Sequence, residues 1–552
     1  MNLKLSGFSV NNLCEITPRT ARQAGKLCLT GMLAVALASA TISTRAAAQD
    51  WSGSGFDAAN TASNPFEKAI SPKTVGNLSV KWTFTTGGDV SARAAVVHGV
   101  VYVPDWAGNL WAIDAKTGAQ IWGKQLSTYI GSSTPVVARA TPTVADGVLF
   151  IGLQSGAWFL AIDAASGNLI WKQQLNTTDP YAIVTTSALV RNGVVYTGTA
   201  STQEANFGGA PGTARGSVVA LDRWTGAILW NFYTTTTGYT GAGVWGSSPV
   251  VDERRGLLYI GTGDNFNLPT DPGYTSCISG GGMPATCQSP QNHVDSIVAV
   301  DIYTGKLKWS YRAQTWKQSA QGVTDGSDFF NLSCIYDKPG CPIPTGPDYD
   351  FGQGPSEITY QTPHGQKMII GAGQKSGIYY AFDPDNGKLL WQTQVGPGSS
   401  LGGMEWGSAT DGHRIYVSIT NYYGIPWSGG SAGFWAALDP ETGNILWKTA
   451  DPNGAIDLGP LTVANGVVYV PSTGDADTAG KTPGNPSTAL TMLALDAATG
   501  KQLWGFASGS STIAGATVSD GSVYWGTGYA HLGLPGLTGG HTFYAFSLDH
   551  GK

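Results

Sequence analysis

The chain has 552 residues, of which 42% are hydrophobic and only 12% are charged, and it contains 76 Gly, 29 Pro and 19 Trp. This composition excludes an intrinsically disordered chain and a coiled coil, and the lack of a triplet glycine period excludes collagen. Glycines scattered among aromatic and β-branched residues indicate many short strands joined by tight turns, so we expect an all-β protein.

The first 48 residues differ from the rest of the chain. They carry five basic residues against the single acid Glu15, then an apolar run over 27–42, then Ala46-Ala47-Ala48. This order predicts a secretory signal peptide over residues 1–48 rather than a membrane span, followed by an N-terminal extension over 49–74. The remaining chain has 26 basic and 36 acidic residues, a net charge of −10, which argues against nucleic acid as a partner. We therefore expect a periplasmic or secreted protein.

Four of the six cysteines lie in the predicted mature chain and form two close pairs, Cys277 with Cys287 and Cys334 with Cys341. In an oxidising compartment each pair is able to close its own loop as a disulfide, and four free thiols are the alternative. The sequence has no Cys-x-x-Cys-His motif, so it offers no covalent c-type haem site. Electrons handled by this chain must therefore leave to another protein.

One motif, Ala-x-Asp-x-x-Thr-Gly-x-x-x-Trp with Ser or Asn sometimes replacing Thr, occurs seven times. Each copy predicts a strand, a turn whose glycine has positive φ, and a second strand that ends in a buried Trp. A further hairpin precedes each copy, as in 94–97 with 100–103, so each repeat contains four strands, as propeller blades do. The copies begin at Ala112, Ala161, Ala220, Ala299, Ala381, Ala437 and Ala494.

The two ends of the chain complement each other. A last repeat starts at His541 but stops before its second strand, whereas 78–82 reads as an isolated second strand that ends in Trp82. Pairing these two segments would complete one more blade and leave no exposed sheet edge. We therefore predict an eight-bladed β-propeller over 75–552, closed by the N-terminal strand.

The repeat resembles that of the quinoprotein alcohol dehydrogenases, which hold pyrroloquinoline quinone (PQQ) and a calcium ion on the propeller axis. The resemblance covers nearly the whole predicted mature chain, although a non-catalytic outer-membrane assembly lipoprotein shares such repeats. It implies a PQQ- and calcium-dependent oxidoreductase that oxidises alcohols and passes electrons to a separate cytochrome c. Within the family, the resemblance is closest to members that oxidise the secondary hydroxyls of polyvinyl alcohol, which implies a polymeric substrate.

Two segments resemble the family's cofactor floor and metal site. Trp245 lies outside the repeat register and resembles the Trp on which the flat quinone stacks, with a core Trp as the alternative. Glu204 resembles the calcium-binding Glu, with a solvated loop acid as the alternative. The resemblance assigns Asp264 or Asn265 as a further ligand, and the choice stays open because the family has Asn where Asp264 stands.

The carboxylates and carbonyl oxygens of PQQ require fixed cations. Arg139 resembles the family's carboxylate-binding Arg, and Lys375 resembles the cation beside the reactive carbonyls, where it would stabilise a developing oxyanion. A surface salt bridge is the alternative for either residue. Further cofactor contacts are expected from Thr185, Thr186, Ser187, Glu405 and Trp406.

The resemblance places the catalytic base at Asp328, also a candidate metal ligand, with Asp325 as the competing acid. A carboxylate that takes the hydroxyl proton makes hydride transfer from the carbinol carbon easier. Family members that use lanthanides carry a second Asp two positions later, where Phe330 stands here, so calcium is expected.

Two departures from the family pattern predict a more open mouth. The chain has no adjacent Cys-Cys pair to cover the cofactor, and Glu405 stands where an Asn is expected. An open mouth bordered by the loops 266–294 and 312–356 suits a bulky, uncharged, hydroxylated substrate. The alternatives are a non-catalytic propeller that binds partner proteins and a sugar-binding propeller.

Overall fold

The computed structural model describes residues 50–548, except 206–212, 247, 283, 314–346, 475–487, 532 and 534–535. Eight four-stranded antiparallel sheets are built from this part of the chain, which confirms the predicted eight-bladed propeller. The strands, blade by blade in ring order, are Ala95–Val97, Val100–Pro104, Asn109–Asp114 and Gln120–Gln125; Thr143–Ala145, Val148–Gly152, Trp158–Asp163 and Leu169–Gln174; Leu189–Arg191, Val194–Ser201, Ser217–Asp222 and Ile228–Tyr233; Val250–Asp252, Leu257–Gly261, Ser296–Asp301 and Leu307–Arg312; Ser356–Thr362, Gly365–Gly373, Ile378–Phe382 and Leu389–Gln394; Ala409–Thr410, Ile415–Ile419, Phe434–Leu438 and Ile445–Ala450; Thr462–Ala464, Val467–Pro471, Met492–Asp496 and Gln502–Phe506; Thr517–Ser519, Ser522–Gly526, Thr542–Ser547 and Ser79–Thr85.

Elements outside the blades are short. The strand Ser63–Asn64 pairs in parallel with blade seven, and Ala182–Ile183 pairs with the end of the second strand of blade three. The helices described are Leu126–Ile130, Pro272–Ser279 and Pro284–Cys287, with 3₁₀ turns at Val75–Asn77 and Thr202–Ala205. None of these described helices has the length and apolar character needed to cross a membrane.

The ring is closed by the two ends of the chain, as predicted. The strand Ser79–Thr85 pairs antiparallel with Thr542–Ser547 and so supplies the outer strand of the eighth blade. The indole Nε1 of Trp504, at the end of blade seven, donates to the carbonyl of Leu78 at 3.2 Å. Because this contact repeats the link between the other blades, the closing blade is held to its neighbour in the same way as the rest.

That link joins each repeat Trp to the turn of the next blade. The indole Nε1 of Trp122 donates to the carbonyl of Ala164 at 3.0 Å, and its ring lies against Gly167. Gly167 has a φ of 70°, and a Cβ at this position would lie 2.9 Å from the indole. The turn therefore needs glycine for its conformation and for the close approach of the neighbouring ring.

The N-terminal segment crosses one end of the hub. Backbone hydrogen bonds connect the first strands of six blades, in ring order, to successive residues of 51–62; the bonds are Val96 with Trp51, Val144 with Ser52, Val251 with Ala58, Glu357 with Ala59, Thr410 with Thr61, and Val463 with Ala62. First strands of neighbouring blades also contact one another around the axis. This segment satisfies backbone groups of innermost strands that the sheets leave unpaired.

Cys277 and Cys287 form a disulfide, which confirms the first predicted pair. The bond joins the helix Pro272–Ser279 to the helix Pro284–Cys287 within the long loop of blade four. Cys334 and Cys341 lie outside the described residues.

Candidate functional site

The hub contains a cavity of about 50 Å³. With the exception of Ser54 from the crossing N-terminal segment, its lining comes from the short connections that lead into the first strands of seven blades. These connections all reach the axis at the same end of the ring, because each enters an innermost strand. The lining residues used below are Arg93, Arg139, Thr185, Ser187, Trp245 and Trp406.

Trp245 forms a flat apolar wall of this cavity. Its Nε1 donates to Asp350 Oδ2 at 2.7 Å, and its carbonyl accepts from the Thr185 hydroxyl at 3.0 Å. Trp406 approaches it edge to face, with 5.3 Å between ring centroids. The ring and the backbone of Trp245 are thus both fixed, as an aromatic stacking surface requires.

Two arginines line the same cavity, and neither forms an ion pair within the described part of the chain. The guanidinium of Arg139 lies over the Trp406 ring, 4.0 Å from its centroid. Arg93 is buried and donates to neutral acceptors, among them the carbonyls of Ala516 and Leu461. Buried or stacked cations that lack a carboxylate favour an anionic ligand in the space beside them.

A cluster of carboxylates lies next to Trp245. Ligand atoms of Glu204, Asp348 and Asp350 lie within 4.8 Å of one another, and so do those of Asp264, Asp295 and Asp350. Glu204 and Asp264 each follow the end of a second blade strand by three residues, and Asp350 precedes the first strand of blade five. Hard cations such as Ca²⁺ prefer such sets of oxygen ligands.

Lys375 is the cation of this cluster. Its Nζ lies 2.6 Å from Asp348 Oδ1, 3.6 Å from Asp350 Oδ2 and 3.7 Å from Glu405 Oε1. It also lies 5.2 Å from the centroid of the Trp245 ring. Burial opposes its charge, but the carboxylates outweigh that cost and hold the pKa of Lys375 well above its usual value. The lysine therefore places a permanent positive charge over the aromatic wall.

For the carboxyl groups of this cluster, burial and mutual repulsion both disfavour the charged form. Desolvation raises the pKa of Asp348 to about 6 and, with the nearby Asp350, raises that of Glu204 well above its usual value. Desolvation and the Asp295 carboxylate raise the pKa of Asp264 in the same way. Burial raises the pKa of Glu405 to about 7. A bound cation would restore the charged forms of these groups.

The structure brings most of the predicted residues to one place. Trp245, Lys375, Glu204 and Asp264 meet at the carboxylate cluster, and Glu405 joins it through Lys375. Other predicted contacts border the cavity or support its wall: Arg139, Thr185, Ser187 and Trp406 line it, and Thr186 donates to the carbonyl of Val244. Asn265 is buried directly after Asp264. The predicted base Asp328 and its competitor Asp325 lie outside the described residues.

Sequence reasoning missed Asp348, Asp350, Asp295 and Arg93. The available signal for the first two was Asp348-Tyr349-Asp350-Phe351-Gly352, two acids in a Gly- and Pro-rich stretch six to eight residues before a blade's first strand. Trp245 stands five residues before the first strand of its own blade. Asp348, Asp350 and Trp245 thus all lie shortly before the first strand of a blade, and this common position is visible only once the strand boundaries are known.

Comparison with known proteins places the chain in a family. The PQQ_2 family model, described as "Outer membrane protein assembly factor BamB", matches residues 76–274 and 374–552, and the chain belongs to this family. It is similar to a polyvinylalcohol dehydrogenase of Sphingopyxis sp., with 28% identity over 91% of this chain and 77% of that protein. A polyvinylalcohol dehydrogenase of Pseudomonas sp. is 29% identical over 90% of this chain and 77% of its own length.

A solved structure shares the fold. The quinohemoprotein alcohol dehydrogenase ADHIIG of Pseudomonas putida HK5 superposes with a TM-score of 0.67 at 18% identity, over 92% of this chain and 81% of that chain. Together these comparisons confirm the predicted resemblance to the PQQ-dependent alcohol dehydrogenases. The similarity to the two polyvinylalcohol dehydrogenases confirms the predicted class, an alcohol dehydrogenase-like oxidoreductase.

Proposed function

We propose that this protein is a periplasmic dehydrogenase that binds PQQ and calcium, oxidises secondary alcohols, including polymeric ones such as polyvinyl alcohol, and passes electrons to a separate cytochrome c. The observation that carries the proposal is the convergence of Trp245, Lys375 and Glu204 on Asp350. Four distant chain segments there combine an aromatic wall, a cation and a carboxylate cluster.

The residues fit both groups. PQQ is flat and carries three carboxylates, and the cavity offers the Trp245 wall together with the unpaired cations Arg93 and Arg139. Calcium requires oxygen ligands, and Glu204, Asp348 and Asp350 supply three within 4.8 Å of one another. Asp264 adds two buried carboxylate oxygens that no donor in the described chain satisfies. Such orphaned acceptors are costly unless a cation or proton reaches them.

PQQ, when bound, supplies the two-electron acceptor for the reaction. The chain must then take the substrate's hydroxyl proton on a carboxylate while a hydride leaves the carbinol carbon. Lys375 would direct a hydrogen bond and a positive charge at the oxygen that gains electron density over Trp245.

Asp328 was the base predicted from the sequence, and Asp348 is the described alternative. Both oxygens of Asp350 already accept bonds, one from Trp245 Nε1 and one from the Asp264 N–H, so Asp350 is better suited to positioning and metal binding. Asp348 Oδ1 accepts from Lys375 Nζ at 2.6 Å, and we assign the Asp348 carboxylate to receive the proton. We propose Asp348 as the base and keep Asp328 as the competing assignment. With Asp348 as the base, Asp350 stands at the position two residues later that is an Asp in family members using lanthanides, so a trivalent lanthanide is then the alternative to calcium.

The apolar surroundings of the cavity support an uncharged aliphatic substrate. Trp406 and Ile513 line the cavity and also pack into a cluster with Leu401, Tyr422 and Trp106. Trp106 stacks on His531 with 3.9 Å between ring centroids. Aromatic and aliphatic walls bind a carbon chain, while its hydroxyls need few fixed partners.

The test is reconstitution of the chain with PQQ and Ca²⁺, followed by dye reduction with propan-2-ol, pentane-2,4-diol and polyvinyl alcohol. We expect turnover that requires both additions and is higher for the diol and the polymer than for propan-2-ol. Absence of dye reduction with any alcohol would contradict the activity and favour a non-catalytic propeller.

The two base assignments are separated by Asp348→Asn and Asp328→Asn. The residue that acts as the base should lose turnover by about 10²-fold or more while the protein still binds PQQ. The other variant should keep turnover within a few-fold. Retained turnover in Asp348→Asn would remove Asp348 from this role.

A further inference from the structure

Hydrophobic side chains from four consecutive blades border one side of the mouth of the hub. They belong to one contiguous cluster, called here the apolar arc, which contains Trp406, Leu458, Ile513, Tyr529 and Trp106. The first three stand in the connections that lead into the first strands of blades six, seven and eight, and the last two follow the second strands of blades eight and one. In an antiparallel blade both kinds of connection lie at the same end. The arc therefore lies at the end of the ring that carries the candidate site.

The arc faces the carboxylate cluster across the axis. Glu204 and Asp264 follow the second strands of blades three and four, and Asp348 precedes the first strand of blade five. In a closed ring of eight blades, blade four stands opposite blade eight. The mouth thus has one side with carboxylates, where the carbinol would react, and one apolar side whose far end has no part in that reaction.

An aromatic stack forms this far end of the arc. Trp106 stacks on His531 with 3.9 Å between ring centroids, and Tyr529 meets Trp106 edge to face at 5.9 Å. His531 is exposed. Trp106 Nε1 donates to the hydroxyl of Ser91, which lines the hub cavity, at 2.8 Å. The stack therefore connects the hub to the surface around the mouth.

Asp89 positions both partners of the stack. Its carbonyl accepts from the Trp106 N–H at 2.9 Å. Its carboxylate, only 9% exposed, accepts from the N–H groups of Ala530 and Gly540, both at 2.8 Å, on either side of His531 in the chain. Bonds to a buried carboxylate are strong, so the two rings are held in place before any ligand binds.

The stack suits an uncharged carbon chain that carries hydroxyl groups. Burial and, next, the charge of Arg139 lower the pKa of His531, with Asp89 as a smaller opposing influence. Its imidazole is therefore neutral at neutral pH and offers one donor and one acceptor, and a hydroxyl group is able to use either. The aromatic faces of the arc bury CH₂ groups. A polymer of repeating CH₂ and CHOH units presents both kinds of group.

We propose that the apolar arc is a subsite that binds the chain of a polyhydroxylated aliphatic polymer next to its reacting unit, with the Trp106–His531 stack as the outer end that determines specificity. This inference rests on the proposed function, because it assumes that the carbinol reacts at the carboxylate side. A small alcohol held there would leave the stack uncovered, whereas a polymer would cross the axis and contact both sides. The subsite would thus favour long substrates through binding rather than through the chemical step.

The experiment compares Trp106→Ala and His531→Ala with the control Trp224→Ala. Trp224 is 61% exposed in the turn between the third and fourth strands of blade three, at the opposite end of the ring. The chain reconstituted with PQQ and Ca²⁺ is assayed by dye reduction with polyvinyl alcohol and with propan-2-ol. The measured quantity is the ratio of kcat/KM for the polymer to kcat/KM for propan-2-ol.

We expect this ratio to fall about tenfold in Trp106→Ala, through KM, because an aromatic contact with the chain is lost. His531→Ala should lower it by a smaller factor, and this variant removes no packed side chain. Trp224→Ala should keep the wild-type ratio. An unchanged ratio in both stack variants would overturn the subsite, as would a decrease of equal size for both alcohols.

Polymer binding is measured separately, by retardation of the reconstituted chain in native gels that contain polyvinyl alcohol. We expect the wild type and Trp224→Ala to be retarded equally and Trp106→Ala to be retarded less. A wild type that the polymer does not retard would overturn the subsite. If retardation depends on Trp106 but no alcohol reduces the dye, the proposed function fails and the subsite stands. If the dye is reduced and the stack variants behave as the wild type in both assays, the reverse holds.

Discussion

The indole Nε1 of Trp245 donates to Asp350 Oδ2 at 2.7 Å and thereby ties the aromatic wall of the hub cavity to the carboxylate cluster. Trp245 enters blade four and Asp350 enters blade five, so the bond also joins two neighbouring connections. Asp350 is the residue that both groups of carboxylates share. Any cation bound there would therefore act on the orientation of the wall through a single hydrogen bond.

Replacement of Trp245 separates its two roles. Trp245→Phe keeps an aromatic ring but loses the bond to Asp350, so we expect PQQ affinity to fall about tenfold, the value of a bond to a charged group. Trp245→Ala removes the wall as well, and affinity should fall further, by about 10²-fold or more. Equilibrium dialysis with PQQ and Ca²⁺ measures the PQQ affinity of both variants. Affinity of Trp245→Ala equal to the wild type would refute the stacking role.

Lys375→Met should abolish most turnover without removing the cofactor. Loss of the charge over Trp245 removes stabilisation of the reduced oxygen, which corresponds to a decrease in kcat of about 10²- to 10³-fold. Asp348 and Glu405 would lose their ion-pair partner, so we also expect a lower free energy of unfolding, by about 3 kcal/mol.

The matched control is Lys367→Met. Lys367 pairs with Glu441 at 2.9 Å on the surface, where its side chain is 50% exposed. This variant should keep kcat and stability within error. If it loses as much turnover as Lys375→Met, the effect does not arise from the hub.

The contact between blades makes a separate prediction about stability. Gly167→Ala strains a left-handed turn and also pushes a methyl group into the Trp122 indole, 2.9 Å away. Gly131 has a similar φ of 71°, but a Cβ there meets no atom within 4 Å. Gly131→Ala should therefore cost only the conformational strain, about 1 kcal/mol, and Gly167→Ala about 2 kcal/mol or more. Denaturant unfolding compares them, and equal losses would refute the docking role.

The fold was largely predictable because its repeat is local in the sequence. Nine residues of each repeat contain the turn Asp, the following Thr and Gly, and the Trp of the next strand. Each indole packs against the turn of the neighbouring blade, as Trp122 packs against Gly167. Ring closure could be predicted because the segment that ends in Trp82 lacks the preceding strand of the repeat, whereas the last repeat, from His541, lacks the second strand. The path of 51–62 around the hub could not, because it depends on backbone bonds to six different blades.

The site was predictable in part. Trp245, Glu204, Lys375 and Arg139 stand in segments that resemble family motifs, and they do meet at the hub. Asp295 carries no such signal, because its neighbours are set by strand ends far away in the chain. The ion pair of Lys375 with Asp348 likewise depends on the closed ring, because the ring brings the connections of several blades to one axis.

Stability should depend on pH through Glu357, away from the hub. Burial and, next, the nearby Asp252 raise its pKa to about 7, above its value in the unfolded chain. The folded state therefore holds this proton more tightly, so its contribution to stability is present below about pH 4.5 and is lost as pH rises to about 7. Glu357→Gln should remove this loss.

The measurement compares the free energies of unfolding of the wild type and Glu357→Gln at pH 5 and pH 8. The variant should gain on the wild type at pH 8 relative to pH 5. A difference that does not change with pH would contradict the raised pKa.

The central claim is that a flat quinone lies on Trp245 with a cation beside Glu204. A crystal structure of the chain reconstituted with PQQ and Ca²⁺ tests it most directly. The account predicts density for a planar tricyclic ring parallel to the Trp245 indole, within reach of Lys375 and Arg139, and an ion coordinated by Glu204 and Asp350. A ring bound elsewhere, or a hub that stays free of PQQ at saturating concentration, would contradict it.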